Sequence, residues 1–521
     1  MTDGGSGADA ATAPRWLDDD AAARHAVAVA GRLVALGVGA GDTIALLAGN
    51  HAGFVAARDA VTALGATLAP INPRLAAPEI AWIVGHARPR ALLVDRAHAA
   101  LLDEAMATAI AGPAPARAAT AAAAAATGPG PAAAAAAAAP RLVLEDIAPA
   151  APAAAAAPAA VDPARIGATL LYTSGTTGRP KGCLRPEAAE AARAAELRAT
   201  YGLCADDVHL VACPLAHSAP GIFLRAARAA GARTALVERF RPRAFLDAAV
   251  ATRATVFFLV PTQWHRLLEL PAAERAHDLA AVRVAIVAGA PIAPATKARL
   301  ATWLGPGRLW EFYGSSETGT VTVAGPADHA AHPGSVGRAP AGVSLRLLDE
   351  HGQPAPDGAA GEVFVRSPAL MAGYLGDDGA LTRPGERDGH LSVGDLGRLD
   401  GGWLTLVDRK HDTIISGGAN VYPAEVERVL AEHPAVAGAV VFGTADADWG
   451  QVVTALVAAR GPTPPTVAEL TAFARRQLAG YKLPRRWATC ALGELPVGGS
   501  GKALRRAARD GFVAGRYEPL P

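Results

Sequence analysis

The feature that most constrains the fold is an alternation of helix-length and strand-length apolar segments early in the chain. Residues 21–37, AAARHAVAVAGRLVALG, carry apolar side chains at helical spacing, whereas DTIALLAGN at 42–50 and ALLVD at 91–95 have the length and composition of short buried strands. Helices that alternate with such strands are typical of a mostly parallel sheet covered by helices. The pattern resumes at residue 167 and continues through VRVAIVAGAP at 282–291. The sequence therefore predicts an α/β fold with a large N-terminal domain.

Three stretches differ from this pattern. Residues 111–160 are rich in Ala, Pro and Gly, with little to bury except RLVLEDI, and are interpreted as a mobile surface insertion. From about residue 334 the chain changes to short strands punctuated by glycine, which predicts a β-rich subdomain. After residue 412, PAEVERVL predicts a helix that begins at Pro423 and has apolar residues on one face. This last segment indicates a separate, small α/β domain.

Composition narrows the class of partner. The 521-residue chain has 49 Lys and Arg against 48 Asp and Glu, so no overall field attracts nucleic acid or an anionic membrane, and a small molecule is expected instead. The N-terminal segment has no basic region followed by an apolar run, and the alanine tract at 121–139 is too weakly hydrophobic to span a bilayer, which predicts a cytoplasmic protein. The four cysteines form no C-x-x-C pair, which argues against zinc or a disulfide framework.

One loop carries a recognisable chemistry. In TLLYTSGTTGRPKG, residues 169–182, a short strand gives way to hydroxyls and glycines and ends at a lysine. Hydroxyls and uncovered backbone N–H groups form the kind of nest that wraps phosphate oxygens, although a solvated surface turn has the same composition. The spacing is not that of the G-x-x-x-x-G-K-[ST] loop of nucleotide hydrolases. The candidate phosphate ligands are Thr173, Ser174, Gly175, Thr176, Thr177 and Lys181.

Several motifs in a fixed order make the chain resemble the adenylate-forming enzymes, which include acyl-CoA and aryl-CoA synthetases. The resemblance covers about residues 20–510. It rests on YTSGTTGRPKG, VAGAP (287–291), YGSSETG (313–319), VGDLGRLD (393–400), LVDRKHDTIISGGANVYPAEVE (406–427) and PVGGSGK (496–502). Such enzymes join a carboxylate to the α-phosphate of ATP, release pyrophosphate, and then pass the acyl group to a thiol. Fixed donors and cations are needed where charge accumulates on the phosphates.

The resemblance implies a role for each motif. Glu317 would bind Mg²⁺, Tyr313 would stack on adenine, and Asp395 would accept the ribose hydroxyls with support from Arg409. The loop at Gly289, Ala290 and Pro291 would line the base, and Gly314 and Ser316 belong to the adenine and metal motif. Lys502 would reach the carboxylate and the α-phosphate during adenylation, although a lysine near a basic C-terminal stretch is also consistent with a solvated charge.

The resemblance also implies a pivot between the two half-reactions. We expect an N-terminal domain over 1–408, a hinge over 409–412 and a mobile C-terminal lid over 413–521. His411 stands where the family usually has Asp or Lys, and a hinge residue mainly absorbs backbone rotation, so it should be tolerated.

The acid and the acceptor are less sharply indicated. CPLAHSAPG, residues 213–221, resembles a wall of the acyl pocket, with His217 at the gate toward the thiol tunnel. No acidic residue lies between Cys213 and Phe223, which disfavours an α-amino acid because a buried ammonium needs a counter-charge. A fatty or aryl acid is predicted.

The resemblance also implies an acceptor site. Gly417 and Gly418 would line the pantetheine tunnel, and Tyr481 and Lys482, with Arg485, would contact the nucleotide end of coenzyme A.

The sequence thus predicts an ATP-dependent, Mg²⁺-dependent carboxylic acid:CoA ligase. A stand-alone ligase that loads an acyl carrier protein uses the same tunnel and is the alternative. A catalytically silent nucleotide-binding protein is disfavoured because Glu317, Asp395, Arg409 and Lys502 are all present.

Overall fold

The fold is given by a computed structural model. It describes residues 13–111, 139–148, 167–173, 180–410, 412–416, 419–446, 449–478, 480–498 and 503–521.

Alternating strands and helices make up the chain as far as residue 324, as the sequence pattern predicts. The first group is β1 (Arg15–Trp16), α1 (Asp19–Ala35), β2 (Thr43–Leu47), α2 (Ala52–Ala63), β3 (Thr67–Ile71), α3 (Ala77–Ala87), β4 (Ala91–Val94), α4 (Ala99–Ala111), β5 (Arg141–Val143), β6 (Ala168–Thr173) and β7 (Lys181–Pro186). The second group is α5 (Glu187–Tyr201), β8 (Val208–Val211), α6 (Ser218–Ala229), β9 (Arg233–Leu236), α7 (Pro242–Thr252), β10 (Val256–Leu259), α8 (Pro261–Glu269), β11 (Val284–Val287), α9 (Pro294–Leu304), β12 (Leu309–Ser315) and β13 (Gly319–Ala324).

Short strands dominate the next part, which confirms the predicted β-rich subdomain. Its elements are α10 (Asp328–Ala331), β14 (Ser344–Leu348), β15 (Ala360–Arg366), β16 (Gly373–Leu375), β17 (Leu381–Thr382), β18 (Glu386–Arg387), β19 (His390–Leu391), β20 (Asp395–Asp400) and β21 (Trp403–Arg409). The C-terminal part contains β22 (Ile414–Ser416), β23 (Ala419–Val421), α11 (Pro423–Ala431), β24 (Val436–Asp446), β25 (Gly450–Ala459), α12 (Val467–Ala474), β26 (Arg486–Cys490), α13 (Arg505–Val513) and β27 (Glu518–Pro519).

Two large sheets dominate the N-terminal part. One has the order β17-β16-β7-β6-β3-β2-β4-β5, and the other β1-β9-β8-β10-β11-β12-β13. The inner strands are parallel; antiparallel strands close three of the four sheet edges, while β5 pairs with β4 in parallel. Helix α2 and residues from α6 share one buried apolar cluster with strands of both sheets. The site described below lies where β6, β7, β12 and β16 approach one another.

The low-complexity region is partly described. Its one apolar segment, RLVLEDI, adds β5 to the sheet edge beside β4 and buries Leu144 completely. The remainder, residues 112–138 and 149–166, lies outside the described residues.

The C-terminal part follows the sequence pattern closely. Pro423 occupies the first turn of α11, and Val426, Val429 and Leu430 are buried against the β24–β25 sheet. This confirms a small α/β unit, while the boundaries 1–408, 409–412 and 413–521 stay a prediction.

Candidate active site

The predicted phosphate loop closes an antiparallel hairpin. Strands β6 and β7 pair so that Thr173 lies opposite Lys181, which brings the two flanking candidates together. The Lys181 ammonium lies 5.2 Å from the ring centroid of Tyr374, on the strand that pairs with β7. The candidates between them, Ser174, Gly175, Thr176 and Thr177, lie outside the described residues.

Glu317 lies in the turn between β12 and β13 and is 7% exposed. Its Oε1 atom accepts hydrogen bonds from the Thr173 hydroxyl at 3.3 Å and from the Tyr374 hydroxyl at 2.8 Å. Burial, and then the Glu317 charge, raise the pKa of Tyr374 well above its usual range, so this hydroxyl stays a donor. The carboxylate is therefore held by two hydroxyls from two different strands.

Tyr374 was missed by the sequence analysis. It stands in GYL, a three-residue strand with no polar pattern that marks a site. Only the pairing of β16 with β7, far apart in the chain, brings its hydroxyl to Glu317.

The backbone of the Glu317 turn is fixed from both sides. The Ser315 hydroxyl accepts the N–H groups of Glu317 and Thr318, both at 3.2 Å. Gly314 is required at a bulge, because a Cβ there would lie 2.1 Å from the Gly319 carbonyl oxygen. The predicted hydroxyl residue Ser316 presents its carbonyl to a buried arginine, Arg185.

Arg185 is a second residue that sequence reasoning did not single out. Its guanidinium is fully buried and donates to the carbonyl oxygens of Ser316 and, at 3.0 Å, Ala369, and to the carboxylate of Glu190. Because the guanidinium presents five donors in a rigid fork, one side chain fixes three elements. Arg185 thereby joins β7, α5 and the Glu317 turn.

Tyr313, Asp395 and Arg409 form a connected group. The Tyr313 hydroxyl donates to Oδ2 of Asp395 at 2.6 Å, and Nε of Arg409 lies 3.2 Å from Oδ1. Asp395 and Arg409 are direct cross-strand partners on β20 and β21. Burial, and then the Asp395 charge, raise the pKa of Tyr313 well above its usual range. The structure thus brings together three residues that stand far apart in the sequence.

The predicted adenine-side loop follows β11, the neighbour of β12. Gly289 adopts a φ of 94°, a conformation that favours glycine, and Ala290 is half-buried between exposed Gly289 and Pro291. Because β11 and β12 are parallel, this loop and Tyr313 lie at the same edge of the sheet.

His217 immediately precedes α6 and contacts a second sheet. Its Nε2 atom lies 3.1 Å from the Asn72 side-chain amide, which follows β3. Desolvation, and then the positive charge of Arg74, lower the pKa of His217, so the imidazole is neutral at pH 7 and can accept from that amide. His217 also lines a cavity of about 420 Å³ between α2 and α6.

The C-terminal candidates are described only in part. Lys502, Gly417, Gly418 and the hinge residue His411 lie outside the described residues. The loop that carries Lys502 is closed at its base by a bridge between Val497 and Ala503.

The predicted acceptor-side residues lie at the surface of the C-terminal part. Tyr481 is 43% exposed, and the Lys482 ammonium lies 2.7 Å from both carboxylate oxygens of Glu425. The Arg485 guanidinium lies 4.0 Å from the ring centroid of Trp449, an exposed aromatic residue that the sequence analysis did not consider. Lys482 is thus engaged in an ion pair in this structure.

An ion network connects the region around the hinge. Arg505, at the start of α13, donates to Asp412 and to Glu427, each at 2.7 Å, and lies 3.7 Å from Asp408. Burial opposes the charge of Arg505, but these three carboxylates together raise its pKa above its usual range. Asp408 in turn accepts the N–H group of Ala424 at the start of α11.

The described ranges contain neither a membrane-spanning helix nor a cluster of metal ligands. No helix in them is long and apolar enough to cross a membrane. Nor do these ranges contain a cluster of three or more His, Cys, Asp or Glu side chains that could hold a metal ion.

Comparison with known proteins decides the family. The model of the AMP-binding enzyme matches residues 11–375, and that of the AMP-binding enzyme C-terminal domain matches residues 425–502. The chain belongs to the AMP-binding enzyme family. This AMP-binding enzyme is accordingly an acid–thiol ligase of the AMP-forming acyl-CoA synthetase class, which confirms the predicted family, fold and reaction type.

Individual relatives agree over most of the chain. The AMP-binding enzyme is similar to a feruloyl-CoA synthase from an Amycolatopsis species, with 33% identity over 493 residues that cover 94% of this chain and 92% of the relative. It is 33% identical to an indoleacetate–CoA ligase from Aromatoleum aromaticum, over 92% of this chain and 89% of the relative. Among solved structures, ATP-bound MatB from Rhodopseudomonas palustris superposes with a TM-score of 0.79 at 28% identity, covering 94% and 92% of the two chains.

Proposed function

We propose that the protein activates an aryl carboxylic acid with ATP and Mg²⁺ and transfers the acyl group to coenzyme A. The carboxylate oxygen attacks the α-phosphorus of ATP and pyrophosphate leaves; the thiol then attacks the acyl carbon and AMP leaves. The observation that carries this proposal is the Glu317 carboxylate, held by Thr173 and Tyr374 at the end of the β6–β7 hairpin.

The described geometry supports the proposed nucleotide roles. Asp395 has two oxygens with about four acceptor positions in all, of which Tyr313 and Arg409 use part, so ribose hydroxyls can still donate to it. Arg409 adds a cation beside the phosphates, and the loop at 289–291 borders the base. Lys181, next to the hairpin loop, supplies charge toward the terminal phosphates.

The donor set at Glu317 fits Mg²⁺. This ion takes oxygen ligands and is commonly held by one or two carboxylates together with substrate phosphates. Thr173 and Tyr374 both donate to Oε1, which orients the carboxylate, and Oε2 is the oxygen proposed to bind the ion. When bound, Mg²⁺ would offset the charge that develops on the leaving pyrophosphate.

The two half-reactions need different residues beside the reacting groups. Lys502 is assigned to adenylation, and the lid over 413–521 pivots at 409–412 to bring Gly417 and Gly418 to the thiol tunnel. The Arg505 network spans this pivot, because Arg505 on α13 contacts both Asp412 in the pivot and Asp408 before it. Its salt bridges must rearrange or move as one body when the lid turns.

The acid is assigned to the aryl class from the relatives and from the local sequence. The similarity to a feruloyl-CoA synthase and to an indoleacetate–CoA ligase supports an aryl acid. No acidic residue between Cys213 and Phe223 could pair with an α-ammonium group.

The acceptor is assigned to coenzyme A. Lys482 lies beside the ring of Tyr481 and Arg485 beside that of Trp449, and such pairs of a cation and an aromatic ring suit a phosphorylated nucleotide. A carrier-protein acceptor is the alternative, and cytoplasmic residence is retained as a prediction.

Acid-dependent exchange of pyrophosphate into ATP, measured across a panel of aryl and fatty acids, tests adenylation. We expect exchange with aryl acids, AMP as the only nucleotide product, and discharge of the acyl adenylate by free coenzyme A. ADP as the product, or no exchange with any acid, would contradict the proposal. Discharge by a carrier protein but not by coenzyme A would transfer the assignment to the loading ligase.

A further inference from the structure

A charged cavity lies directly below His217. It has a volume of about 420 Å³, within the range of small-molecule sites. Its floor is formed by β3 and β6, one wall by α2, and the opposite wall by α6 and the start of α5.

The floor of the cavity leads to the proposed reaction centre. Side chains alternate between the faces of a strand, so Thr169, Leu171 and Thr173 share one face of β6. Thr169 and Leu171 line the cavity, and Thr173 contacts Glu317. On the adjacent strand, Leu68 and Pro70 line the cavity and Asn72, which follows, contacts His217. A group in the cavity therefore lies on the same face of the sheet as the proposed Mg²⁺ ligand.

The far end of the cavity is strongly polar. Three arginines and three carboxylates line it: Arg58, Asp59, Glu187, Glu190, Arg225 and Arg228. A cavity for a long aliphatic chain would be lined by apolar groups instead, because charged side chains lose hydration when an alkyl chain covers them.

Every one of these carboxylates already has an arginine partner other than Arg58. Glu187 accepts two hydrogen bonds from Arg225, and Asp59 accepts one from Arg228 at 2.8 Å. The remaining carboxylate, Glu190, accepts a hydrogen bond from Arg185, which lies on β7 and does not line the cavity.

Arg58 has the weakest carboxylate pairing of the three arginines. Among the described residues, its one hydrogen bond runs from Nη1 to the Gly221 carbonyl oxygen at 3.0 Å. Its Nε lies 3.7 Å from Asp59, which Arg228 binds more closely. Desolvation lowers the pKa of Arg58; the charge of Asp59 opposes this effect, and Arg228 and Arg225 add to it. The three arginines and three carboxylates of the lining balance in charge, and Arg58 is the arginine whose donors are least used by carboxylates.

We infer that this cavity is a specificity subsite for a second anionic group of the acid substrate, bound by Arg58. The inference rests on the proposed function and deepens it: the preferred acid has an arylalkanoate carboxylate at the reacting end and a second carboxylate on the ring at the distal end. The distal carboxylate accepts hydrogen bonds from the free donors of the Arg58 guanidinium, and the reacting carboxylate lies toward Thr173 and His217.

The test compares three acids of matched shape in the exchange assay. These are 3-phenylpropanoate, 3-(4-carboxyphenyl)propanoate and the neutral 3-(4-carbamoylphenyl)propanoate. We expect kcat/KM for the diacid to exceed that for the amide by about tenfold or more, since hydrogen bonds to charged groups are the stronger ones. Arg58→Met should lower this diacid-to-amide ratio about tenfold, and Arg58→Lys should lower it less.

The ratio of the two kcat/KM values is compared because a smaller folded fraction of the enzyme lowers both values equally. Arg243→Met is the matched control, since Arg243 is more than half exposed on α7 and does not line the cavity. Two results would overturn the inference and leave the proposed function intact. One is exchange with the monoacid but no preference for the diacid over the amide. The other is a diacid-to-amide ratio that Arg58→Met leaves unchanged. No exchange with any of the acids would overturn both.

Discussion

The Tyr374 hydroxyl lies 2.8 Å from Oε1 of Glu317 and donates a hydrogen bond to the same oxygen that Thr173 contacts. A tyrosine on β16 thus sets the orientation of a carboxylate in a turn far from it in sequence. Two hydrogen bonds to Oε1 restrict rotation of the carboxylate, and the proposed function assigns its other oxygen to Mg²⁺.

Tyr374→Phe should therefore raise the Mg²⁺ concentration needed for half-maximal adenylation by about tenfold, the scale of one hydrogen bond to a charged group. The maximal rate at saturating Mg²⁺ should change much less. Tyr201→Phe is the control: Tyr201 is buried, but its hydroxyl has no partner among the described residues. A Tyr374→Phe enzyme with an unaltered Mg²⁺ titration would contradict this orienting role.

Arg185 makes the second prediction, which concerns stability. Arg185→Met leaves the buried Glu190 without its hydrogen-bonded partner and frees two carbonyl oxygens, so the free energy of unfolding should fall by about 3 to 5 kcal/mol. The double variant Arg185→Met/Glu190→Gln should recover part of the loss. Arg198→Met, at an exposed position of the same helix as Glu190, should change it by about 0.5 kcal/mol or less.

Denaturant unfolding followed by fluorescence and circular dichroism measures these changes. Equal losses in the Arg185 single variant and in the double variant would show that the charge left on Glu190 is not the cause.

The contact between Asp95 and His98 should make the free energy of unfolding depend on pH. The His98 Nδ1 atom lies 2.6 Å from Asp95, which also accepts from His51 and from the Gly49 N–H group. Burial opposes the Asp95 charge, but these hydrogen bonds outweigh it and lower its pKa. The bond to Asp95 raises the pKa of His98, against the smaller effect of burial.

The sign follows from linkage. A histidine whose pKa is raised on folding stabilises the protein fully below its unfolded pKa, about 6.5, and this contribution is lost as the pH rises through the folded value. The stability difference between the wild type and His98→Gln should thus shrink from pH 6 upward. Unfolding midpoints measured from pH 5.5 to 9 provide the check, with Asp95→Asn as the background in which the trend should vanish. A difference that is constant over this range would exclude the pair as its source.

The sequence predicted the elements of this site better than the contacts between them. The hairpin at Thr173 and Lys181, the turn at Glu317 and the strand at Asp395 each have a local signal of turn residues, glycines and apolar flanks. Tyr374 and Arg185 have none, because their roles depend on which strands pair across the fold. The Lys482 ion pair is similar: a basic residue beside a proline indicates a surface loop, but its partner Glu425 lies on a helix distant in sequence.

Lys502 gives a prediction that separates the half-reactions. Lys502→Ala should slow adenylation about a hundredfold or more, the loss typical of one charge-stabilising donor in a transition state. The same variant should still transfer a supplied aryl adenylate to coenzyme A at nearly the wild-type rate. Arg506→Ala, close in sequence and exposed, serves as the control. Equal loss in both half-reactions would contradict the assigned role.

The last prediction concerns the acceptor surface at Tyr481 and Lys482. Coenzyme A differs from pantetheine by its phosphorylated ADP, so only coenzyme A gains from an exposed ring and a cation at the tunnel mouth. Tyr481→Ala combined with Lys482→Ala should raise the KM for coenzyme A about tenfold or more and leave the KM for pantetheine and the rate of adenylation almost unchanged.

Glu425 offers a test in the opposite direction, because both of its oxygens hold the Lys482 ammonium at 2.7 Å. Glu425→Gln weakens that ion pair, makes the cation available to phosphate, and should lower the KM for coenzyme A. Arg476→Ala, on the same domain, is the matched control. If the two substitutions at Lys482 and Glu425 shift the KM in the same direction, Lys482 does not meet a phosphate of the acceptor.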